Sequence, residues 1–199
     1  MQSARYSQNR TFHLFSINNA RNDEKIIDYV RCGIGAGAGC ITSSNTGVHY
    51  PMASLINDCY RLKTPYSPKI IADGGIRNYS DVIKALALGA DYVMIGSLFA
   101  QCEESAGEKV EISTGECCVN FYGMASAEGQ IAINGEKTKT AEGISVLLPV
   151  KYKLGKWSQN MKHYLRSAMS YCNAHTLLDF IGKQNLIINT INAVSSVNK

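Results

Sequence analysis

Two apolar runs separated by one amphipathic helical pattern limit what this chain can become. Lys69-Ile70-Ile71-Ala72 leads into Asp73-Gly74-Gly75, and Tyr92-Val93-Met94-Ile95 leads into Gly96-Ser97. Between them Val82, Ile83, Leu86 and Leu88 recur at helical spacing, with Ser80 as the expected cap. A strand, a helix and a second strand in that order make a parallel pair with the helix as crossover. Strands this apolar are expected to be covered on both faces, which makes the architecture α/β. Both strands end in small residues that a phosphate could approach closely at the carboxyl edge of the sheet.

Ahead of these units lies Gly33-Ile34-Gly35-Ala36-Gly37-Ala38-Gly39-Cys40-Ile41-Thr42-Ser43, in which glycine alternates with other residues and ends on a cysteine. Alternate glycines let the backbone take positive φ and come close to a ligand, at an entropic cost an ordinary loop would not bear. Taken alone, the loop reads equally as a carrier for a reactive Cys40 or as a flexible linker holding a small buried residue. The two glycine-ended strands behind it favour the first reading and a phosphate-bearing ligand.

Composition excludes several classes. The 199 residues are 45% hydrophobic and 18% charged, as in globular proteins. A net charge of +4 spread over scattered Lys and Arg calls for neither nucleic acid nor an anionic membrane. No apolar run approaches the roughly 20 residues of a membrane span, and the start of the chain lacks a secretory pattern, so a cytoplasmic location is expected. Seven cysteines without a C-x-x-C pair argue against a disulfide framework or a structural zinc site, and most are expected to be buried. The four histidines are dispersed and receive no role.

Residues 1–22 show no period around the apolar patch Phe12 to Ile17. Ile26, Ile27 and Val30 fit either a helix or a strand running into the glycine loop, and the helix is preferred. Pro51 followed by Met52, Leu55, Ile56, Cys59 and Leu62 predicts a helix over 51–62. Residues 102–157 read as a flap of irregular or two-stranded structure, with Asn134-Gly135 as a hairpin signal. Met161–Ser170 and Thr176–Ile181 read as helices, and Leu186–Val197 as a weakly amphipathic tail.

The motifs GIGAGAGCIT at 33–42, TGVHYP at 46–51, IADGGIR at 71–77, VMIGSLFA at 93–100, EESAGE at 103–108, FYGMAS at 121–126, AEG at 141–143 and LRSAMSYCNA at 165–174 run in one order. In this respect the chain resembles the C-terminal part of the IMP dehydrogenase/GMP reductase family. The resemblance implies a (β/α)8 TIM barrel of which this chain carries the later strands, with a flap inserted after the last one. It divides the chain into a poorly matched segment 1–32, a partial barrel over 33–185 and a tail over 186–199. It implies that Cys40 is the nucleophile attacking C2 of a purine monophosphate through its thiolate. Thr42 and Glu142 match the proton-relay pair. Asp73 would hold the ribose hydroxyls, Gly74, Gly75, Gly96 and Ser97 the phosphate, and Tyr122, Gly123 and Met124 phosphate and base. The carbonyls of Gly35, Gly37 and Cys40 match a monovalent-cation site suited to potassium.

Two branches remain. IADGGIR, IGS and SYCNA are closer to the dehydrogenase, which oxidises IMP to XMP with NAD. TGVHYP, FYGMAS and AEGISVLLPV are closer to the reductase, which converts GMP to IMP with NADPH. The dehydrogenase flap carries an Arg-Tyr pair that activates water, and none occurs between Tyr122 and Glu142. The balance points to the reductase, with the dehydrogenase and a non-catalytic nucleotide-binding or assembly module as alternatives. Family members form tetramers, so a homo-oligomer is expected, with GMP or IMP as the ligand. Ala36, Ala38, Ile41 and Ser43 stand where the family usually has Pro, Ser, Thr and Arg.

If the cysteine loop follows the sixth barrel strand, about five βα units should precede Gly33, more than the residues before it supply. A barrel buries its interior and removes its edges only when closed. The resemblance also assigns part of the nicotinamide site to that portion, so no residue is assigned to the cofactor. The 199-residue chain alone is expected to be weakly stable and to turn over little or not at all. Calorimetry and NADPH oxidation with GMP check this, and a cooperative transition together with turnover would contradict it.

Overall fold

The computed structural model describes residues 27–33 and 35–188. The expectations for Phe12–Ile17, Ile26 and the tail from residue 189 onward lie outside the described residues. Three parallel strands, β1 (Tyr29–Cys32), β2 (Lys69–Asp73) and β3 (Tyr92–Met94), form a sheet in the order β1-β2-β3. Val30 faces Ile70 and Cys32 faces Ala72 across the first pair, and Ala72 faces Val93 across the second.

Alternation along these strands sends Val30, Cys32, Ile70 and Ala72 into one buried face. Helix α1 (Thr42–Thr46) and helix α2 (Met52–Arg61) connect β1 to β2, and helix α3 (Tyr79–Leu88) connects β2 to β3. Leu55, Ile56 and Cys59 of α2 and Val82, Ala85 and Leu86 of α3 complete the core on that face. The other face carries Tyr29, Arg31, Tyr92 and Met94, which are exposed, with the Tyr29 and Tyr92 rings 5.8 Å apart. Among the described residues the sheet is therefore covered on one face, not on both as expected. The strands alternate buried apolar positions with Tyr, Arg, Lys and Met, whose side chains each carry an apolar body that a further layer could cover.

Three further sequence expectations are corrected. The segment ahead of the glycine loop is strand β1, because pairing with β2 satisfies its backbone and buries Val30 and Cys32 together. The cap of α3 is Asn78, whose side chain accepts from the Asp81 N–H at 3.0 Å, while Ser80 donates to that same Asn78 oxygen. Pro51 is the N-cap of α2 and not its first helical residue.

Helix α4 (Ser97–Ala100) follows β3 and leads to a second sheet, antiparallel, of strands β4 (Lys109–Glu111), β5 (Cys117–Tyr122) and β6 (Ser145–Pro149) in that order. Helix α5 (Ala127–Asn134) is inserted between β5 and β6. The expected irregular or two-stranded unit thus has three strands and a helix. The Asn134-Gly135 hairpin signal is instead the end of α5, where Gly135 takes φ +79°. Left-handed backbone serves a helix C-terminus as well as a hairpin turn, and the Ser126 cap at the other end settles which is formed.

The last helices close over the core. Trp157 of α6 (Leu154–Tyr171) is buried against Tyr79 at 5.3 Å and meets Phe99 edge-on at 5.1 Å. Helix α7 (Leu177–Phe180) has a Thr176–Asp179 capping box and buries Phe180. All seven cysteines are free, and Cys32, Cys59, Cys102 and Cys118 are buried as expected. The hydrogen bond that the Cys59 thiol donates to Cys32, together with burial, pushes that thiol up, so it packs as a small apolar group. Among the described residues no helix is long and apolar enough to cross a membrane.

Asp91 ties the parallel unit together. Its side chain, 9% exposed, pairs with Lys63 after α2 and Lys69 at the start of β2, and accepts from the Ile70 N–H at 2.8 Å. Burial alone would raise this carboxyl, but Lys63, the Ile70 N–H and Lys69 outweigh it and hold it below the usual carboxylate range. Its stabilisation is fully present above the unfolded-state value of about 4 and is lost as pH falls through the lower folded-state value. Asp91→Asn is expected to cost about 1.5–3 kcal/mol near neutral pH. The difference from the unmodified chain should shrink as the solution is acidified, which denaturant unfolding across that range measures.

Candidate active site

Gly33 and Gly74 bring the carboxyl ends of β1 and β2 into backbone contact. Gly33 takes φ +142°, and a Cβ there would fall 2.1 Å from the Asp73 carbonyl oxygen. Gly74 takes φ +96°, and a Cβ there would fall 2.9 Å from the Ala36 carbonyl carbon and the Gly37 nitrogen. No other residue allows both the conformation and the approach. The cysteine loop is thus laid directly on the Asp73-Gly74-Gly75 turn.

From the opposite side the loop is stitched to the segment between α5 and β6. Cys40 and Gly143 form an isolated antiparallel bridge, with Ile41 N–H donating to the Glu142 carbonyl at 3.0 Å and Ile144 N–H donating to the Gly39 carbonyl at 2.8 Å. These bonds fix Cys40 against Glu142 although the two are far apart in sequence. The Cys40 thiol donates to Thr42 Oγ1 at 3.3 Å, and the Thr42 hydroxyl donates to Glu142 Oε2 at 2.7 Å. A thiol, a hydroxyl and a carboxylate in one chain can pass a proton toward or away from whatever lies beside the sulfur.

The chain of donors opens on a cavity of about 350 Å3. Of the residues expected in the site, Cys40, Thr42, Glu142, Asp73, Gly74, Gly75, Gly96, Ser97, Gly123 and Met124 all line it, as does Gly37. Tyr122, at the end of β5, and Gly35 do not. The Gly35 carbonyl accepts from Ser43 Oγ at 3.4 Å and the Gly37 carbonyl from Cys40 N–H at 3.1 Å. Among the described residues no group of three or more His, Cys, Asp or Glu is placed to hold a metal ion.

Sequence reasoning missed Arg31, which lines the cavity and pairs through Nε with Asp73 Oδ2 at 3.3 Å. Read as a strand, Tyr29–Cys32 would have put Arg31 on the face opposite Val30 and Cys32; the helical reading hid that signal. Phe121 of β5 was also missed, and its ring lies 3.5 Å from where a Cβ on Gly96 would stand. Arg77, inside the IADGGIR motif, also lines the cavity.

Residues 20–198 match the IMP dehydrogenase / GMP reductase domain. The chain belongs to that family. Relatives in this oxidoreductase family include a GMP reductase from Chromobacterium violaceum, 39% identical over 75% of this chain and 45% of the relative. A GMP reductase from Phytophthora infestans is 34% identical over 85% of this chain and 47% of the relative. The chain therefore spans a little under half the length of these relatives. Among solved structures, a GMP reductase from Trypanosoma brucei in complex with guanosine 5'-monophosphate superposes with a TM-score of 0.82. It is 24% identical, with 94% of this chain and 38% of that one covered, and it establishes the likeness of fold.

A methyl group at position 74 would have to displace the cysteine loop. Gly74→Ala is expected to destabilise the chain by more than about 1 kcal/mol and to change how fast Cys40 reacts with iodoacetamide. The exposed Cys172 serves as internal reference, with thermal unfolding and peptide mass spectrometry as the readouts.

Proposed function

We propose that the chain carries the nucleotide-binding and nucleophilic part of a GMP reductase-type active site. The observation that carries this reading is the hydrogen-bonded line Cys40–Thr42–Glu142 opening on a cavity whose far side is Asp73 with Gly74, Gly75, Gly96 and Ser97. On this reading β1, β2 and β3 are the last three strands of a (β/α)8 barrel. The face bearing Tyr29, Arg31, Tyr92 and Met94 is the one that the remaining strands close. The antiparallel unit of β4, β5 and β6 is the flap after the final strand.

The residues then divide the work. Asp73 accepts hydrogen bonds from the two ribose hydroxyls, and Arg31, paired with it at 3.3 Å, orients its carboxylate. The backbone at Gly74, Gly75, Gly96 and Ser97 receives the phosphate, and Gly123 and Met124 lie against the nucleotide from the flap. The Cys40 thiolate attacks C2, forming a C–S bond as the bond to the exocyclic nitrogen breaks and ammonia leaves. Thr42 and Glu142 deliver the proton that the departing nitrogen requires. NADPH would supply the hydride that C2 requires in place of the lost nitrogen, and breaking the C–S bond would then release IMP. No residue of this chain is assigned to the cofactor. The carbonyl oxygens of Gly35, Gly37 and Cys40 suit a hard monovalent cation such as potassium, since an oxygen that accepts one hydrogen bond keeps a second lone pair.

The absence of an Arg-Tyr pair between Tyr122 and Glu142 favours the reductase over water-dependent oxidation of IMP with NAD. Intact-mass measurement of the full chain with GMP and NADPH tests the reading. The expected result is a covalent nucleotide adduct at Cys40 that Cys40→Ser abolishes together with any turnover, while GMP binding persists. Folded protein that binds GMP but forms no adduct would leave a binding module. XMP formed from IMP and NAD would identify a dehydrogenase.

A further inference from the structure

The residue that delivers Glu142 is not in the cavity. Glu142 follows an exposed loop, residues 136–141, that leaves the end of α5. Among the described residues, this loop makes hydrogen bonds only to one side chain, Gln130 of α5. Gln130 is 2% exposed, and its Oε1 accepts from Lys139 N–H at 2.9 Å, Thr138 N–H at 3.1 Å and Thr138 Oγ1 at 3.3 Å. Its Nε2 donates to the Ala125 carbonyl at 3.5 Å, and the Glu142 N–H donates to that same carbonyl at 2.9 Å. One buried amide thus holds the loop in its middle and meets, at Ala125, the acceptor that anchors its end. The three donors at Oε1 fix which way the amide faces.

The base of this clamp is rigid. Ser126 is buried, caps α5 by accepting from Gly129 N–H at 3.0 Å, and through its own carbonyl receives the Gln130 N–H at 3.0 Å. From this the geometry points to Gln130 as a positioning residue for Glu142, setting the carboxylate's reach to Thr42 and through it to Cys40. The inference rests on the reading of Cys40, Thr42 and Glu142 as a relay. It concerns order more than stability: the loop is exposed, so its freed N–H groups would turn to water, and an apolar isostere fills the buried space at Gln130. What is lost is the fixed direction in which the chain enters Glu142.

The test reads Cys40 without requiring turnover. In the full chain, Gln130→Met, Glu142→Gln and the double variant are alkylated with iodoacetamide across a pH series, with Cys40 followed by peptide mass spectrometry against Cys172. Gln130→Met is expected to shift the Cys40 rate profile in the same direction as Glu142→Gln, by about three- to tenfold. It should add nothing in the Glu142→Gln background, while hydrogen exchange at Thr138, Lys139 and Glu142 speeds up in both. An unchanged Cys40 profile despite faster exchange, or an equal shift in both backgrounds, would overturn the assignment. Should Gln130→Met fail to fold, Lys139→Pro removes the shortest of the loop bonds from an exposed position and is subject to the same two outcomes. Absence of a GMP adduct in the unmodified chain would remove the functional reading and leave this measurement standing.

Discussion

The bridge between Cys40 and Gly143 is the constraint on which the rest of the site depends. Parallel strands deliver Cys40, Asp73 and Ser97 to one edge, but nothing in a βα unit places a carboxylate behind the cysteine. That carboxylate comes from the antiparallel unit, and two backbone hydrogen bonds across Gly39–Ile41 and Glu142–Ile144 join the two units. Backbone bonds suit this task because they fix the approach of whole segments, whereas a side-chain contact between Thr42 and Glu142 alone would leave both ends free to turn. The cavity is the space left between two sheets of different kind, and this seam closes it behind Cys40.

Much of the parallel unit was legible because its signals are local. Lys69–Ala72 and Tyr92–Ile95 are short apolar runs bounded by glycine, and the helix between them repeats at a period no strand shares. The glycine-ended turns at those strand ends followed with them. The antiparallel unit was legible only in outline. Its strands pair in part across an inserted helix, and the Asn134-Gly135 signal is chemically compatible with both a hairpin and a helix end. What decides between them, the Ser126 cap and the burial of Gln130, involves tertiary neighbours that periodicity does not register.

The same limit explains Arg31 and Gln130. Arg31 was invisible as long as β1 read as a helix, since four residues with two apolar positions satisfy either period. Pairing with β2 settles that choice, and the pairing is non-local. Gln130 carries no motif, sits on a weakly amphipathic helix and acts through backbone groups whose residue types are immaterial. Residues of that kind are found from hydrogen-bond partners, not from composition.

The close approach of Ala36 to Gly74 gives the residue at position 36 a physical consequence. A proline would stiffen the cysteine loop from within, by fixing its own φ. In this chain a Cβ added at Gly74 would fall 3.0 Å from the Ala36 methyl, so the loop lies directly against the neighbouring turn and borrows its shape from it. Borrowed stiffness is cooperative: the loop keeps its shape only while the β2 turn keeps its own, and the two yield together. Opening the Asp73-Gly74-Gly75 turn and loosening the loop that presents Cys40 are therefore a single event in this protein.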